Sequence, residues 1–329
     1  MRPATDTLNF MDQNTTHPIL LADIGGTNSR FAFAGASGRP EHVVIVENDT
    51  VQSLQDAIET YLARTGMRPC AAVLAVAGPL DSGDEVALTN RAWRFRRSEL
   101  ARRFGFSPLR VINDFEAIAW SLSRLDAADV RSLGPAREAR AGVRAVLGPG
   151  TGLGVAALVP TDGRWFVMSS EGGHISFGPQ SPDEIEIFSR LFRDHGAISA
   201  EMILSGPGIA RLMCALDPGT AHRTPEAVVK AALNGEPAAV ATAKMFVRLL
   251  GRFAGGLALT FKALGGVYIA GGVASRVAPL LDEQDFRAAF EAHPPYEGML
   301  RDIPTMLMSR TEPGLLGCAV LADEIAASL

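Results

Sequence analysis

"LLADIGGTNSRFAFAG", residues 20–35, decides how the chain is read. An apolar run meets one acid, Asp23, and then a pair of glycines, Gly25 and Gly26. Two small polar residues, Thr27 and Asn28, follow, and an alternating Phe-Ala-Phe-Ala segment closes the stretch. The pattern predicts a strand, a tight turn and a second strand. Taken alone, such a loop is an ordinary structural turn. It also has the makings of an anion site, because glycine lets backbone N–H groups come close and successive N–H groups form an anion-binding concavity.

Two further glycine loops lie along the chain. One is Gly148-Pro149-Gly150-Thr151-Gly152-Leu153-Gly154, and the other is Gly271-Gly272-Val273. None fits the G-x-x-x-x-G-K-[ST] pattern of the P-loop. None opens a helix with G-x-G-x-x-G spacing, so a dinucleotide-binding unit is a poor reading. The first two loops each join two strands, and each carries a Thr in the turn. Together they suggest two opposed hairpins gripping a polyphosphate between two domains. Asp23 adds a carboxylate able to hold Mg²⁺ through water, since that ion keeps several waters and takes few protein ligands.

Around these loops, apolar runs alternate with helical patterns. "HVVIVEND" reads as a strand. "TVQSLQDAIETYLART" places Leu54, Ile58, Tyr61 and Leu62 at helical spacing, with Thr50 as candidate N-cap. "CAAVLAVAGPL" has the continuous apolar character of a strand buried on both faces. "LRVINDFEAIAWSLSRL" switches from strand to helix near Asn113-Asp114. This alternation predicts an α/β chain with mostly parallel sheet. The pattern lapses in "DAADVRSLGPAREARAG", a crossover, and restarts at "VRAVLGPGTGLGVAALVP". Two strand-rich beginnings, each with a glycine turn, echo two related halves. The boundaries expected are a flexible tail over 1–18, a small domain over 19–124 plus 309–329, and a large domain over 125–308.

The 329 residues are 47% hydrophobic and 20% charged, with a net charge of −5, enough apolar material for a real core. An acidic balance argues against nucleic-acid or anionic-membrane partners. Cys70, Cys214 and Cys318 lie far apart. They give neither a disulfide framework nor a zinc cluster, which fits a reducing cytoplasm. The most apolar window, "GGLALTFKALGGVYIAGGV", is broken by Lys262 and glycines. It reads as a helix end, a turn and a buried strand.

Several polar residues stand out. Asn113-Asp114 ends an apolar strand, where open α/β sheets place ligands. Asp114 reads equally well as a helix N-cap. Glu171 and His174 frame two glycines in "EGGH", which is a polar pocket or an E-x-x-H metal pair. Glu201 follows Ser199 at a helix start, where a carboxylate also suits the helix dipole.

These segments carry a resemblance. "ADIGGTNSR", "GPGTGLGVA", "YIAGGVASR", "LTN", "INDFEA", "EGGHISF" and "SAEMILSGPG" occur in this order, and the chain resembles the bacterial glucokinases of the hexokinase/actin-like ATPase superfamily. The resemblance implies a two-domain actin-like (ribonuclease H-like) α/β fold with nucleotide and sugar in a cleft between the domains. It implies ATP-dependent phosphorylation of D-glucose to glucose 6-phosphate at the entry to glycolysis. Asp114 would be the base that takes the sugar hydroxyl proton, and Asn113, Asp114, Glu171, His174 and Glu201 would bind the sugar. ATP would meet Asp23, Gly25, Gly26, Thr27, Asn28, Gly150, Thr151, Gly152, Gly271 and Gly272, with Asp23 facing Mg²⁺. A cytoplasmic homodimer is implied as well. The cysteine cluster of the zinc-binding branch is absent, and Ser176 and Met202 depart from the usual pattern. The alternatives are a kinase for mannose or N-acetylmannosamine on the same scaffold, a sugar-responsive DNA-binding regulator, and an actin- or chaperone-like ATPase.

Overall fold

The computed structural model describes residues 18–78, 80, 82–89, 91–219 and 223–329. The expected N-terminal tail, but for Pro18, and Asn90 of the "LTN" segment lie outside the described residues. The chain divides into two compact units, one reaching to Asp114 and including Gly314–Leu329, the other Phe115–Pro313.

The first unit is built on a five-stranded sheet. Strands β1 (Ile19–Ile24), β2 (Asn28–Ala34) and β3 (Pro40–Glu47) form an antiparallel meander. Helix α1 (Leu54–Thr65) leads to β4 (Ala71–Val76), which pairs parallel to β1. A small ribbon, β5 (Glu85–Ala87) with β6 (Arg94–Arg96), and helix α2 (Arg97–Phe104) precede β7 (Leu109–Asn113), parallel to β4. Every residue of β4 is buried, as expected of a central strand covered on both faces. Tyr61 of α1 packs its ring 5.4 Å from Phe31 and 5.2 Å from Phe33, which share one face of β2. The C-terminal helix Pro313–Ala326 is apolar almost all round and buries Leu315, Leu316, Cys318 and Leu321.

The N-cap of α1 is Ser53, not Thr50. Ser53 has extended backbone and its hydroxyl accepts from the Asp56 amide at 3.1 Å. Thr50 instead closes a 3₁₀ turn and donates its hydroxyl to the Glu47 carbonyl.

In the second unit, helix α3 (Asp114–Ser121), whose first residue ends the first unit, is followed by β8 (Val130–Ser132), a short strand inside the segment where the sequence pattern lapses. A six-stranded sheet contains β8, β9 (Arg144–Pro149), β10 (Leu153–Thr161), β11 (Arg164–Ser170), β12 (Val267–Ile269) and β13 (Thr305–Met308). Its helices are α4 (Pro182–His195), α5 (Ala200–Ile203), α6 (Gly206–Leu216), α7 (Pro225–Leu233), α8 (Pro237–Phe261), α9 (Gly272–Val277), α10 (Glu283–Glu291) and α11 (Glu297–Asp302).

Both sheets repeat one scheme. The first runs β3-β2-β1-β4-β7, the second β11-β10-β9-β12-β13 with β8 added at the edge. Each is an antiparallel meander continued by two parallel strands. The halves heard in the sequence are therefore the same topology twice. The sheets are mixed and not mostly parallel, because the two glycine turns make hairpins, and hairpins pair antiparallel. Among the described residues no helix is long and apolar enough to cross a membrane.

Helix α8 packs closely on α10 at a glycine. A Cβ added to Gly251 would collide with the backbone carbonyl of Phe286, whereas one at Gly256 meets nothing within 4 Å. Gly251→Ala should lower stability by about 2 kcal/mol, since backbone must move to admit it. Gly256→Ala should raise it by up to about 1 kcal/mol through helix propensity. Urea unfolding of the two variants checks the pair; equal midpoints would contradict the packing described.

Candidate functional site

In the first unit the parallel strands β1, β4 and β7 end side by side, with Ile24 opposite Val76 and Val76 opposite Asn113. Two strand spacings separate β1 from β7, about 10 Å. Asp23, the loop Gly25–Asn28, Asn113 and Asp114 thus share one carboxyl edge of the sheet. The Asn113 amide donates to the Gly78 carbonyl at 3.0 Å, which orients the strand end. Asp114 is the first residue of α3. Gly314 packs directly on the Asp23 carboxylate: a Cβ there would lie 2.9 Å from its Oδ2.

The loop between β1 and β2 is turned by a residue the sequence did not single out. Asn48 is completely buried. Its amide nitrogen donates to the carbonyls of Gly25 at 2.8 Å and Gly26 at 3.2 Å, and its backbone N–H donates to Thr27 O at 2.9 Å. The Ser29 hydroxyl donates to Asn48 Oδ1 at 2.7 Å and fixes the amide's orientation. Arg91 adds donors to Gly26 O at 3.3 Å and Asn48 O at 2.6 Å. A trans peptide is planar, so N–H and C=O point in opposite directions. Carbonyls drawn inward toward Asn48 force the Gly26 and Thr27 N–H groups outward. Among the described residues those two N–H groups have no acceptor. Gly25 N–H closes the turn onto Asn28 O at 3.1 Å.

The second unit repeats the device between β9 and β10. Gly150 N–H closes onto Gly152 O at 2.8 Å, and Gly150 O accepts from Gly206 N at 2.7 Å. The Thr151 N–H is turned outward by the same planarity. Gly271 has φ 91° and lies against this loop, where a Cβ would sit 2.6 Å from Pro149 O; both facts demand glycine. Gly272 opens α9 beside it. The outer glycines, Gly148 and Gly154, serve a different purpose. A Cβ on either would strike the Phe115 ring, so they form the seat of the aromatic residue that follows Asp114.

Glu171, His174 and Glu201 come together in the second unit. Glu171 ends β11's continuation and His174 closes a 3₁₀ turn, Gly172–His174. The His174 ring lies 3.8 Å from the Glu171 carboxylate and 3.9 Å from that of Glu201, outside hydrogen-bond distance of both. Their side chains are 81%, 60% and 32% exposed for Glu171, His174 and Glu201, so the cluster is open to a polar ligand. Glu201 also accepts from Leu153 N at 2.9 Å, and a Cβ at Gly152 would come within 2.5 Å of its Oε2. One carboxylate therefore touches both the second glycine hairpin and the His174 cluster. Asn48, Arg91, Gly206, Gly314 and Phe115 were missed by sequence reasoning. Phe115 and Gly206 stood in quoted segments without a role assigned to them; the others act across long separations that no local pattern signals.

The glucokinase family model matches residues 20–325. A glucokinase of Brucella suis is 39% identical over 318 residues, covering 94% of this chain and 92% of that protein. Among solved structures, a glucokinase from an Antarctic psychrotroph superposes with a TM-score of 0.86 at 35% identity, covering 94% of this chain and all of that one. A glucokinase from Balamuthia mandrillaris, solved in complex with glucose, gives a TM-score of 0.78 at 26% identity, with 95% of each chain covered. The repeated sheet topology is that of the actin-like ATPase fold. The chain belongs to the glucokinase family.

Proposed function

We propose that the chain transfers the γ-phosphoryl group of ATP to the primary hydroxyl of D-glucose, giving ADP and glucose 6-phosphate. Phosphorylation of glucose follows from family membership, since the match runs over nearly the whole chain. The observation that carries the nucleotide half is the pair of hairpins whose carbonyls are tied inward. Phosphate oxygens would accept from Gly26 and Thr27 N–H in one and from Thr151 N–H and Gly152 in the other. Asn28, Gly25 and Gly150 shape these turns, and Gly271-Gly272 would face the adenosine.

Asp114 would accept the hydroxyl proton as the sugar oxygen attacks the γ-phosphorus and the bond to ADP breaks. Phosphoryl transfer depends mainly on positioning and charge stabilisation, so an ordinary carboxylate at the end of a rigid strand suffices. Asn113, Glu171, His174 and Glu201 would bind sugar hydroxyls, which pair naturally with carboxylates, an amide and an imidazole. Asp23 suits Mg²⁺ in kind: it is one carboxylate at the strand end beside the first glycine loop, and this ion needs few protein ligands. Mg²⁺, when bound, neutralises phosphate charge. The acidic chain and its scattered cysteines support a cytoplasmic enzyme acting on small molecules, and the family resemblance supports a homodimer.

Initial rates in a coupled ADP assay test this reading. Glucose with ATP should be preferred over mannose and N-acetylmannosamine, and over polyphosphate as donor; preference for another sugar would overturn the glucose assignment. Asp114→Asn should lower kcat by about a thousandfold, within the range of general-base catalysis. Calorimetry should show glucose still binding that variant. Turnover near the wild-type rate would remove Asp114 from its role.

A further inference from the structure

Among the described residues, the most deeply buried ion pair joins Glu184 of α4 to Arg252 of α8, with side chains 4% and 7% exposed and Nη1 3.0 Å from Oε2. The pairing is not the parallel two-bond fork that makes arginine–carboxylate contacts strong. Nη1 and Nε have no aligned acceptor among the described residues. The well-aligned donor, Nη2, is given to the Gly178 carbonyl at 2.8 Å, and the guanidinium lies 4.4 Å over the Phe177 ring. Glu184 Oε2 accepts from the backbone N–H of Gln180 at 2.9 Å. Each partner thus fastens the same short segment, 177–180.

Buried pairs of this kind contribute little net stability, because desolvation offsets their attraction, and apolar replacements of similar volume are often neutral or stabilising. What this pair provides is the path of one segment of backbone. That segment continues directly from the His174 turn. Ala200 N donates to Ile175 O at 3.0 Å, Phe177 N donates to Ile198 O at 3.0 Å, and Ser176 bridges to Ser199. Residues 175–177 therefore run antiparallel to 198–200, with His174 just before the first strip and Glu201 just after the second. Phe177 is wedged against Phe188 and Phe253 at centroid distances of 6.1 and 5.8 Å. A shift at 178–180 is passed along this rail to the 3.9 Å separation of His174 and Glu201.

We infer that Glu184 and Arg252 are positioning residues for sugar binding: they hold the rail that sets the spacing of His174 and Glu201, without touching the sugar themselves. The inference rests on the reading that His174 and Glu201 bind glucose.

The test uses the full-length double variant Arg252→Met with Glu184→Leu, which removes both buried charges together. It should unfold at or above the wild-type urea midpoint. Its KM for glucose should rise about tenfold while its KM for ATP stays within twofold. A stable double variant with wild-type KM for glucose, or a parallel rise in both KM values, would overturn the inference. Should the double variant not fold, Arg252→Lys decides: it keeps the charge but not the planar fork, and an unchanged glucose KM in it is equally fatal. Glu201→Gln separates the two layers. If Glu201→Gln leaves glucose affinity intact, the sugar-binding reading falls and the inference with it. If it weakens glucose while the double variant does not, the inference alone falls.

Discussion

The structure turns on the amide of Asn48. A backbone loop can cradle an anion only if its carbonyls are kept away from it, and planar trans peptides make those two requirements one. Asn48 meets them by drawing in the carbonyls of Gly25, Gly26 and Thr27, with Ser29 holding its own orientation. A buried amide with these partners satisfied is rigid, and each partner left unsatisfied would cost about 1–3 kcal/mol. The second hairpin reaches the same end by other means, using the Gly206 N–H on Gly150 O. Equivalent loops on equivalent sheets are thus stabilised by unrelated contacts.

Much of this was legible in the sequence. The glycine hairpins, the buried β4 run and the strand-to-helix switch at Asn113-Asp114 rest on local composition and periodicity, which a chain displays openly. The mixed sheets follow from the hairpins once these are taken at face value. The N-cap of α1 was misplaced because Thr50 and Ser53 are both competent caps, and only the intervening 3₁₀ turn separates them. Asn48 was illegible for a different reason. It lies some twenty residues beyond the loop it holds, at the polar end of a segment read only as a strand, and its importance is a matter of tertiary approach. The outer glycines of "GPGTGLG" illustrate a third case. Their presence was visible, but not the Phe115 ring that packs against both of them.

Glu201 joins two tasks that the sequence kept apart. One oxygen accepts from the Leu153 amide that follows the second glycine turn, and the other faces His174. In the proposed reaction one side chain would thus bind the acceptor sugar while its other oxygen rests on the Leu153 amide. Catalysis that works by alignment depends on such shared supports more than on unusual acid strength. The buried Glu184–Arg252 pair extends the same logic outward, from residues that would meet the ligand to those that steer the backbone beneath them.

In the proposed reaction the outward N–H groups of Gly26 and Thr27 receive phosphate. Heteronuclear NMR of protein carrying labelled glycine and threonine, titrated with a non-hydrolysable ATP analogue and Mg²⁺, tests this directly. Both amide protons should shift markedly downfield with the analogue and stay in place with adenosine. Amide resonances that stay in place when the analogue binds would contradict it.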